Sequence, residues 1–407
     1  MQIPLRKLCH RLNHFILSIL RSRSSSVAGQ ESDLSGTLDQ ASMTLTLQNP
    51  VDHPTAAQPN ASLDTERYSR QILFPGIGES GQQRLASAHV AIVGCGATGA
   101  ASASLLARAG VGKLTLIDRD FVEASNLQRQ VLFDEADAAA ALPKAEAARR
   151  KIALFNSTVT VVPQIADLVP ANIHEFLSAA DIVLDATDNF ETRYLINDFA
   201  VQQGKPWIYA AAIGAYAATM NILPSHMDRD PQQATACLAC IFPKPPSGPT
   251  ETCDTAGILS TAVNLAASIQ VTETLKYLTG QPALMRRSLV SFDLWSNDRS
   301  EISTAKPDPA CTVCGHHEFT HLAGTARPHI TLCGRNSVQI HEHHRPIDLA
   351  AMHVRLAPHG TVRSNDLLLR LERPPHTITL FADGRAIIQG TTDPMMARSL
   401  YARFVGL

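Results

Sequence analysis

Three groups of residues in this 407-residue chain have the types and spacing to do chemistry. The first is Gly94-Cys95-Gly96-Ala97-Thr98-Gly99, which follows an apolar run fit for a strand and opens a helical one. Glycines so placed allow a tight turn, let the backbone approach a phosphate, and let helix and strand pack closely. The helix N-terminus then offers unpaired N–H groups and a positive dipole end to an anion. Nineteen residues past Gly99, Asp118 ends the next apolar run. A carboxylate there can accept ribose hydroxyls. Gly94, Gly96, Gly99 and Asp118 therefore mark a nucleotide site.

The second group says which nucleotide. NAD needs little beyond helix N–H groups and an acidic ribose partner. ATP brings a triphosphate, which calls for several cations and usually Mg²⁺. Beyond the second strand come Asn126-Leu127-Gln128-Arg129-Gln130, then Pro143-Lys144 at the head of a helix, then Thr187-Asp188-Asn189 at a strand end. Ligands in open α/β sheets gather at such ends. Two cations, an amide and a carboxylate at successive connections of one sheet suit phosphates and Mg²⁺ better than a nicotinamide ring.

The third group is cysteines. Cys237-Leu-Ala-Cys240 and Cys311-Thr-Val-Cys314 supply four thiolates, a full tetrahedral set for structural zinc. His316, His317 and His321 are competing donors beside the second pair. Cys253, between a proline-rich stretch and a long apolar run, is a free thiol that becomes a nucleophile toward an acyl-adenylate if its pKa is lowered. A plain loop cysteine is the alternative. Cys9 and Cys95 read as structural or incidental, and Cys333 has no assigned part.

Positioning these groups requires a sheet. Strands are expected at His89–Val93, Lys113–Ile117, Val159–Pro163, Asp181–Asp185 and Trp207–Ala211. Helices are expected at Thr65–Arg70, Ala97–Ala109, Ala139–Leu154, Ile173–Ala179, Arg193–Gln203 and Ala256–Leu278. Strands alternating with helices make βαβ units, so the fold class is α/β, doubly wound around a largely parallel, Rossmann-like sheet. Phe242–Glu251 holds four prolines and reads as a mobile crossover loop. Beyond Gly315 the character changes. A strand-like His329–Ile340, a helix over Asp348–Leu356, a hairpin of Thr377–Phe381 with Ala386–Gln389, and a last helix opened by Asp393-Pro394 predict a small α+β domain. The division expected is 1–62 as an N-terminal extension, 63–320 as the nucleotide domain with its zinc site, and 321–407 as the C-terminal domain.

Composition excludes several classes. Charged residues are 18% and 35 Lys+Arg stand against 37 Asp+Glu, a net charge of −2 that gives no basic field for nucleic acid. No apolar run reaches the roughly 20 residues that cross a bilayer, so no membrane is expected. Eight cysteines in a chain this long do not make a secreted disulfide framework, and a cytoplasmic place with reduced thiols is expected. Residues 1–30 carry Arg6, Lys7, Arg11, Arg21 and Arg23 with no acid before Glu31. That stretch reads as a transit peptide, a disordered tail or a start placed too early.

Taken in order, Arg67-Tyr-Ser-Arg70-Gln71-Ile72-Leu73, the glycine loop, Asp118-Arg119-Asp120, Ser125–Gln130, Pro143-Lys144 and Thr187-Asp188-Asn189 resemble the ThiF/MoeB/HesA family. These are E1-like adenylyltransferases that activate ubiquitin-like sulfur carriers of the ThiS or MoaD kind. The resemblance implies an E1-type adenylation domain using ATP and Mg²⁺, with Asp118 on the ribose, Asn126, Arg129 and Lys144 on phosphates, and Asp188 on Mg²⁺. It implies a homodimer in which Arg70 reaches the partner's site, zinc on the four cysteines, and a catalytic or persulfide-carrying role at Cys253. Thiocarboxylate for thiamine thiazole or molybdopterin would follow, with sulfur from a separate cysteine desulfurase or sulfurtransferase, since no cysteine follows Cys333. The chain departs from the family at Ala97-Thr98, Ala100, Ala210 and Ala217; methyls at the last two would narrow a channel for the carrier tail. Competing readings are an E1-like enzyme acting on a tRNA or peptide carboxylate, an idle zinc-braced scaffold, and, more distantly, an NAD oxidoreductase.

Overall fold

The computed structural model describes residues 65–225, 233–244, 256–324, 331–332, 337–340, 347–365, 367–382 and 384–406. Eight strands form the first sheet: β1 (His89–Val93), β2 (Lys113–Ile117), β3 (Thr160–Gln164), β4 (Ile182–Asp185), β5 (Trp207–Ile213), β6 (Tyr216–Ile222), β7 (Ser288–Asp293) and β8 (Asp298–Ser303). Their spatial order is β3-β2-β1-β4-β5-β6-β7-β8. Pairing is parallel from β3 to β5 and antiparallel from β5 to β8. The sheet is buried on both faces, and β1 shows why. Val90 and Ile92 enter one apolar cluster with the helices Ala97–Ala109 and Lys144–Phe155, while Ala91 and Val93 enter another with Ile173–Leu177 and Phe190–Gln203. Successive side chains of a strand point to opposite faces, so a strand covered on both sides must be apolar throughout.

The long helix Ser260–Leu278 locks the centre of this sheet. Gln270 donates to the carbonyls of Asp185 and Ile208, each at 2.8 Å, and accepts from Ser102 at 3.1 Å. Ala262 and Ala266 of the same helix pack on Ala210 and Ala217. Those two methyls are thus buried between hairpin and helix, 2% and 1% exposed. They narrow no open channel, contrary to expectation.

A second sheet is antiparallel, with order β11-β12-β13-β14-β10-β9. Its strands are β9 (Thr331–Leu332), β10 (Ser337–Ile340), β11 (Thr361–Ser364), β12 (Leu368–Arg373), β13 (His376–Phe381) and β14 (Ala386–Gln389). Two helices, Leu349–Leu356 and Pro394–Phe404, lie on one face over Leu369, Leu371, Ile378, Leu380 and Ile388. Asp348 caps the first and Asp393 the second, each accepting backbone N–H groups of the first turn.

Several element expectations need correction. The first helix is Ser69–Ile72, and a second, Gly78–Ser87, was not foreseen. A single helix over Ala139–Leu154 is in fact two, Glu135–Ala139 and Lys144–Phe155, because Pro143 lacks the N–H that an unbroken helix needs. The helix after β4 begins three residues early, at Phe190, capped by Asn189, whose side chain accepts from Thr192 at 2.8 Å. The antiparallel extension β6–β8 and strands β11–β12 were missed. His321 and Leu322, assigned by sequence to the C-terminal part, hang from Asp198 of the first, donating their backbone N–H groups at 2.9 and 3.3 Å. Residues 1–62, Cys253, Cys333 and most of the proline-rich loop lie outside the described residues.

Candidate functional site

Strand order reverses between β1 and β4, and the crevice outside the carboxyl ends of two such strands is where doubly wound sheets bind ligands. The glycine loop leaves β1 at this point and Ala186-Thr187-Asp188 leaves β4. They touch: a Cβ on Gly94 would lie 2.7 Å from the Ala186 carbonyl, and Gly94 has φ +89°. A Cβ on Gly99 would lie 1.9 Å from the Gly94 carbonyl. These two glycines are required by the turn itself. Gly96 is different. Its Cβ would meet only the Gln130 amide, at 3.9 Å, so its bareness serves space outside the backbone. It caps Ala97–Ala109, whose first N–H groups face that space without a side-chain cap. An anion fits such a place.

Asp118, at the end of β2, closes one wall. Its carboxylate accepts the backbone N–H of Cys95 at 2.6 Å and of Asp120 at 2.7 Å, tying the glycine loop to the second strand. Burial pushes its pKa up, and the nearby Lys144 ammonium opposes that. Cys95 is buried and its thiol is pushed up by burial, then by Asp118, so it stays an inert thiol.

The segment after β2 carries Asn126 and Arg129 and leads to Lys144, the groups expected on phosphates. Phe121 pairs with Pro143, and the Lys144 N–H donates to the Asp120 carbonyl at 2.8 Å. This places the Lys144 side chain, 2% exposed as a residue, with its ammonium 3.1 Å from the Asp120 carboxylate. Asn126 is buried in a tight turn: its side-chain oxygen accepts the Glu123 N–H at 3.1 Å, and its own N–H donates to the Glu123 carbonyl at 2.8 Å. With the oxygen so used, the amide NH₂ is the end left to meet a phosphate. Arg129 follows on the same turn, its guanidinium held by the Ser125 carbonyl at 2.9 Å. Gln128 donates to the Ile258 carbonyl at 3.2 Å, and Gly257–Leu259 in turn bonds to Gly214. The chain just beyond Cys253 is therefore pinned beside the Asn126–Arg129 turn.

Asp188 is exposed in the loop after β4, and its charge acts on the Arg119 and Arg193 guanidiniums. Beneath it lies a pair that sequence reasoning missed. Asp185 and Arg193 are buried together at 3.2 Å. Asp185 also accepts the N–H and hydroxyl of Thr187 at 2.9 and 2.7 Å, while Arg193 donates to the Thr187 and Ala210 carbonyls. Burial raises the Asp185 pKa and Arg193 opposes it. This pair fixes the loop that presents Asp188. The one signal was the charge in the otherwise apolar run ending at Asp185. Arg70 stands apart on Ser69–Ile72, exposed, with Leu73 and Phe74 72% and 61% exposed beside it.

Cys237, Cys240, Cys311 and Cys314 converge with all sulfurs within 4.8 Å of one another. Neighbouring sulfurs are 3.8, 3.6 and 3.3 Å apart. Four thiolates on zinc at about 2.3 Å stand about 3.8 Å from each other, so the set fits that metal. Asp308 donates its N–H to the Cys240 sulfur at 3.4 Å, an outer support for a thiolate ligand. The competing histidines are outside the cluster; His321 stacks on Tyr194 instead, ring centres 5.1 Å apart.

A mostly parallel α/β sheet with a phosphate-ready crevice at its switch point and a four-cysteine centre defines a nucleotide-binding α/β protein braced by a metal-capable knot. Residues 68–313 match the model of the ThiF family, and the chain belongs to that family. It is 44% identical over 346 residues to the sulfur carrier protein ThiS adenylyltransferase of Bacillus subtilis, covering 84% of this chain and all of that one. It is 39% identical to the adenylyltransferase and sulfurtransferase MOCS3 of Sus scrofa over 63% of this chain, spanning 55% of that protein's length. Among solved structures, Escherichia coli MccB with ATP shares the fold, with a TM-score of 0.52 and 24% identity over 63% of this chain and 76% of that one.

Proposed function

We propose that this chain is an adenylyltransferase that activates the C-terminal glycine carboxylate of a ubiquitin-like sulfur carrier, of the ThiS rather than the MoaD kind. One observation carries the reading. The switch-point crevice holds bare helix N–H groups, a buried lysine, an arginine turn and an exposed carboxylate, in a chain that aligns with the whole length of a ThiS adenylyltransferase. The carrier carboxylate oxygen attacks the α-phosphorus of ATP, the α–β bridging bond breaks, and pyrophosphate leaves from a carrier acyl-adenylate. Asp118 holds the ribose hydroxyls. Helix N–H groups behind Gly96, with Asn126, Arg129 and Lys144, bind the phosphates and spread the charge that develops as pyrophosphate departs. Asp188 would hold Mg²⁺, which when bound would supply positive charge against the triphosphate.

Three further parts belong to the proposal. Arg70 works in trans within a homodimer, and the exposed Leu73 and Phe74 beside it support a contact there. Sulfur comes from a separate donor, and Cys253 takes part in its transfer rather than in adenylation. The enzyme is cytoplasmic; among the described residues no helix is long and apolar enough to cross a membrane.

ATP–pyrophosphate exchange tests the reading directly. With Mg²⁺ and a ThiS-like carrier the enzyme should exchange label, and with a MoaD-like carrier it should not. Arg129→Ala should lower the rate about 100-fold or more, the scale of losing a charge stabiliser at a transition state, and Cys253→Ala should leave it unchanged. Exchange that needs no carrier, or that Arg129→Ala preserves, overturns it.

A further inference from the structure

The antiparallel sheet has two faces, and only one carries its helices. The other presents Leu368, Phe381 and Ile387, which form a buried cluster with Phe121 and Ala141 and with Ile165 packed against it. On the first sheet's side, Phe121 and Ala141 lie on the connection between β2 and the helix Lys144–Phe155, which builds one wall of the crevice, and Ile165 follows β3. Phe121 follows Asp118 and Asp120 and precedes the Asn126–Arg129 turn. Ala141 precedes Pro143-Lys144 and sits at φ +47°, a left-handed conformation unusual for a residue with a Cβ.

Polar contacts repeat the pattern. Arg370 of β12 places its guanidinium 4.7 Å from the centre of the Phe121 ring and 3.6 Å from the Glu123 carboxylate. Glu123 is the residue whose backbone closes the turn on Asn126. Asn365 donates its amide to the carbonyls of Ala140 and Ala141, at 3.2 and 3.4 Å. Arg385 reaches the Ile165 carbonyl at the end of β3. Contacts made only for cohesion could fall anywhere on the first sheet's surface; apart from that of Arg385, these fall on the two segments that carry Asn126, Arg129 and Lys144.

Resting on the function proposed above, we infer that Arg370 is a positioning residue for adenylation: through Phe121 and Glu123 it holds the Asn126–Arg129 turn where the departing pyrophosphate needs it. The ion pair and the ring contact act on the same short stretch, Phe121–Glu123, so one side chain fixes both its position and its tilt. The C-terminal sheet thereby becomes part of the enzyme's active geometry, with Asn365 bracing the neighbouring Lys144 segment. Displacement of a charge stabiliser by an ångström costs as much as 100-fold in rate, so a support at this distance from the chemistry is felt.

The test is exchange kinetics on the full chain with its carrier, together with melting temperature. Arg370→Ala should lower the maximal rate about 10-fold or more while the KM for the carrier changes by less than about twofold, because the turn, not carrier docking, is disturbed. Arg370→Lys, able to keep the ion pair and the cation over the ring, should restore most of that rate. Glu123→Gln removes the pair without touching the second sheet and should fall similarly, and the double variant Arg370→Ala/Glu123→Gln should be no worse than the worse single one. Unchanged maximal rates in Arg370→Ala and Glu123→Gln, even with a lowered melting temperature, overturn the inference. If Arg370→Ala does not fold, Glu123→Gln alone decides it. Arg129→Ala is the separate control: exchange that survives it refutes the reading of the crevice, and the role of Arg370 falls with it.

Discussion

Asp185 and Arg193 illustrate how a residue can govern a site it does not touch. Both are buried, and each bonds to Thr187 and to the other, Arg193 to Ala210 as well. Cutting such a pair in half leaves a charge in a low-dielectric interior, which costs about 3–5 kcal/mol. Arg193→Ala is therefore expected to lower unfolding free energy by about that amount, read from the denaturant midpoint, and to weaken Mg-ATP binding as the Thr187–Asn189 loop loosens. A variant with wild-type stability would show that the pair is better solvated than its geometry implies. The Thr187-Asp188-Asn189 run stood out in the sequence because its residue types suit ligand chemistry. Its support did not, because an aspartate closing an apolar strand and an arginine eight residues on, in the first turn of the next helix, carry no mark of being paired. Asn126 and Asn189 were half legible: both sit where the sequence put them, yet both side-chain oxygens are engaged in closing turns or capping a helix.

At the scale of elements, the parallel half of the first sheet was readable because each strand is a short apolar run and each helix follows at once. The antiparallel half was not. β8 is Asp-Arg-Ser-Glu-Ile-Ser, an exposed edge with no apolar alternation, and β6 draws on small residues whose partners in Ser260–Leu278 are distant in sequence. The loop between β1 and its helix separates two uses of glycine that the motif alone merges. Gly99→Ala sets a methyl against a backbone carbonyl that has no room to move, so a loss of about 3 kcal/mol or more is expected, the upper range of overpacking. Gly96→Ala meets nothing closer than 3.9 Å and should melt with the wild type. Its methyl stands instead where a phosphate would approach the helix N–H groups, so calorimetric ATP affinity should fall. Equal ATP affinity in Gly96→Ala and wild type would place the phosphates elsewhere.

At the scale of the whole molecule, the four-cysteine centre is the tie that a metal would close. It joins the short helix Leu238–Ile241 to the turn at Cys311–Cys314, which are 74 residues apart, and so closes the loop that contains the long helix and the strands β7 and β8. Its cysteines also belong to the apolar cluster with Trp207, Met220 and Leu289, so the sulfurs are anchored from below. The two C-x-x-C pairs could be paired from sequence because their spacing fits tetrahedral ligation, whereas the exclusion of His321 depended on where Tyr194 and Asp198 hold that segment. Purified protein should contain one zinc per chain by elemental analysis. Thiolate zinc of this kind contributes on the order of 10 kcal/mol to the folded state, as much as the whole net stability of many domains. Cys311→Ser, or chelation during a thermal ramp, should therefore bring melting down steeply, and added zinc should restore the chelated wild type but not the variant. Because the four sulfurs are not among the groups assigned to the nucleotide, molecules still folded after chelation below the melting range should keep their ATP affinity. Zinc-free protein that melts where the holoprotein does would mean that hydrogen bonds and packing alone hold the four sulfurs together.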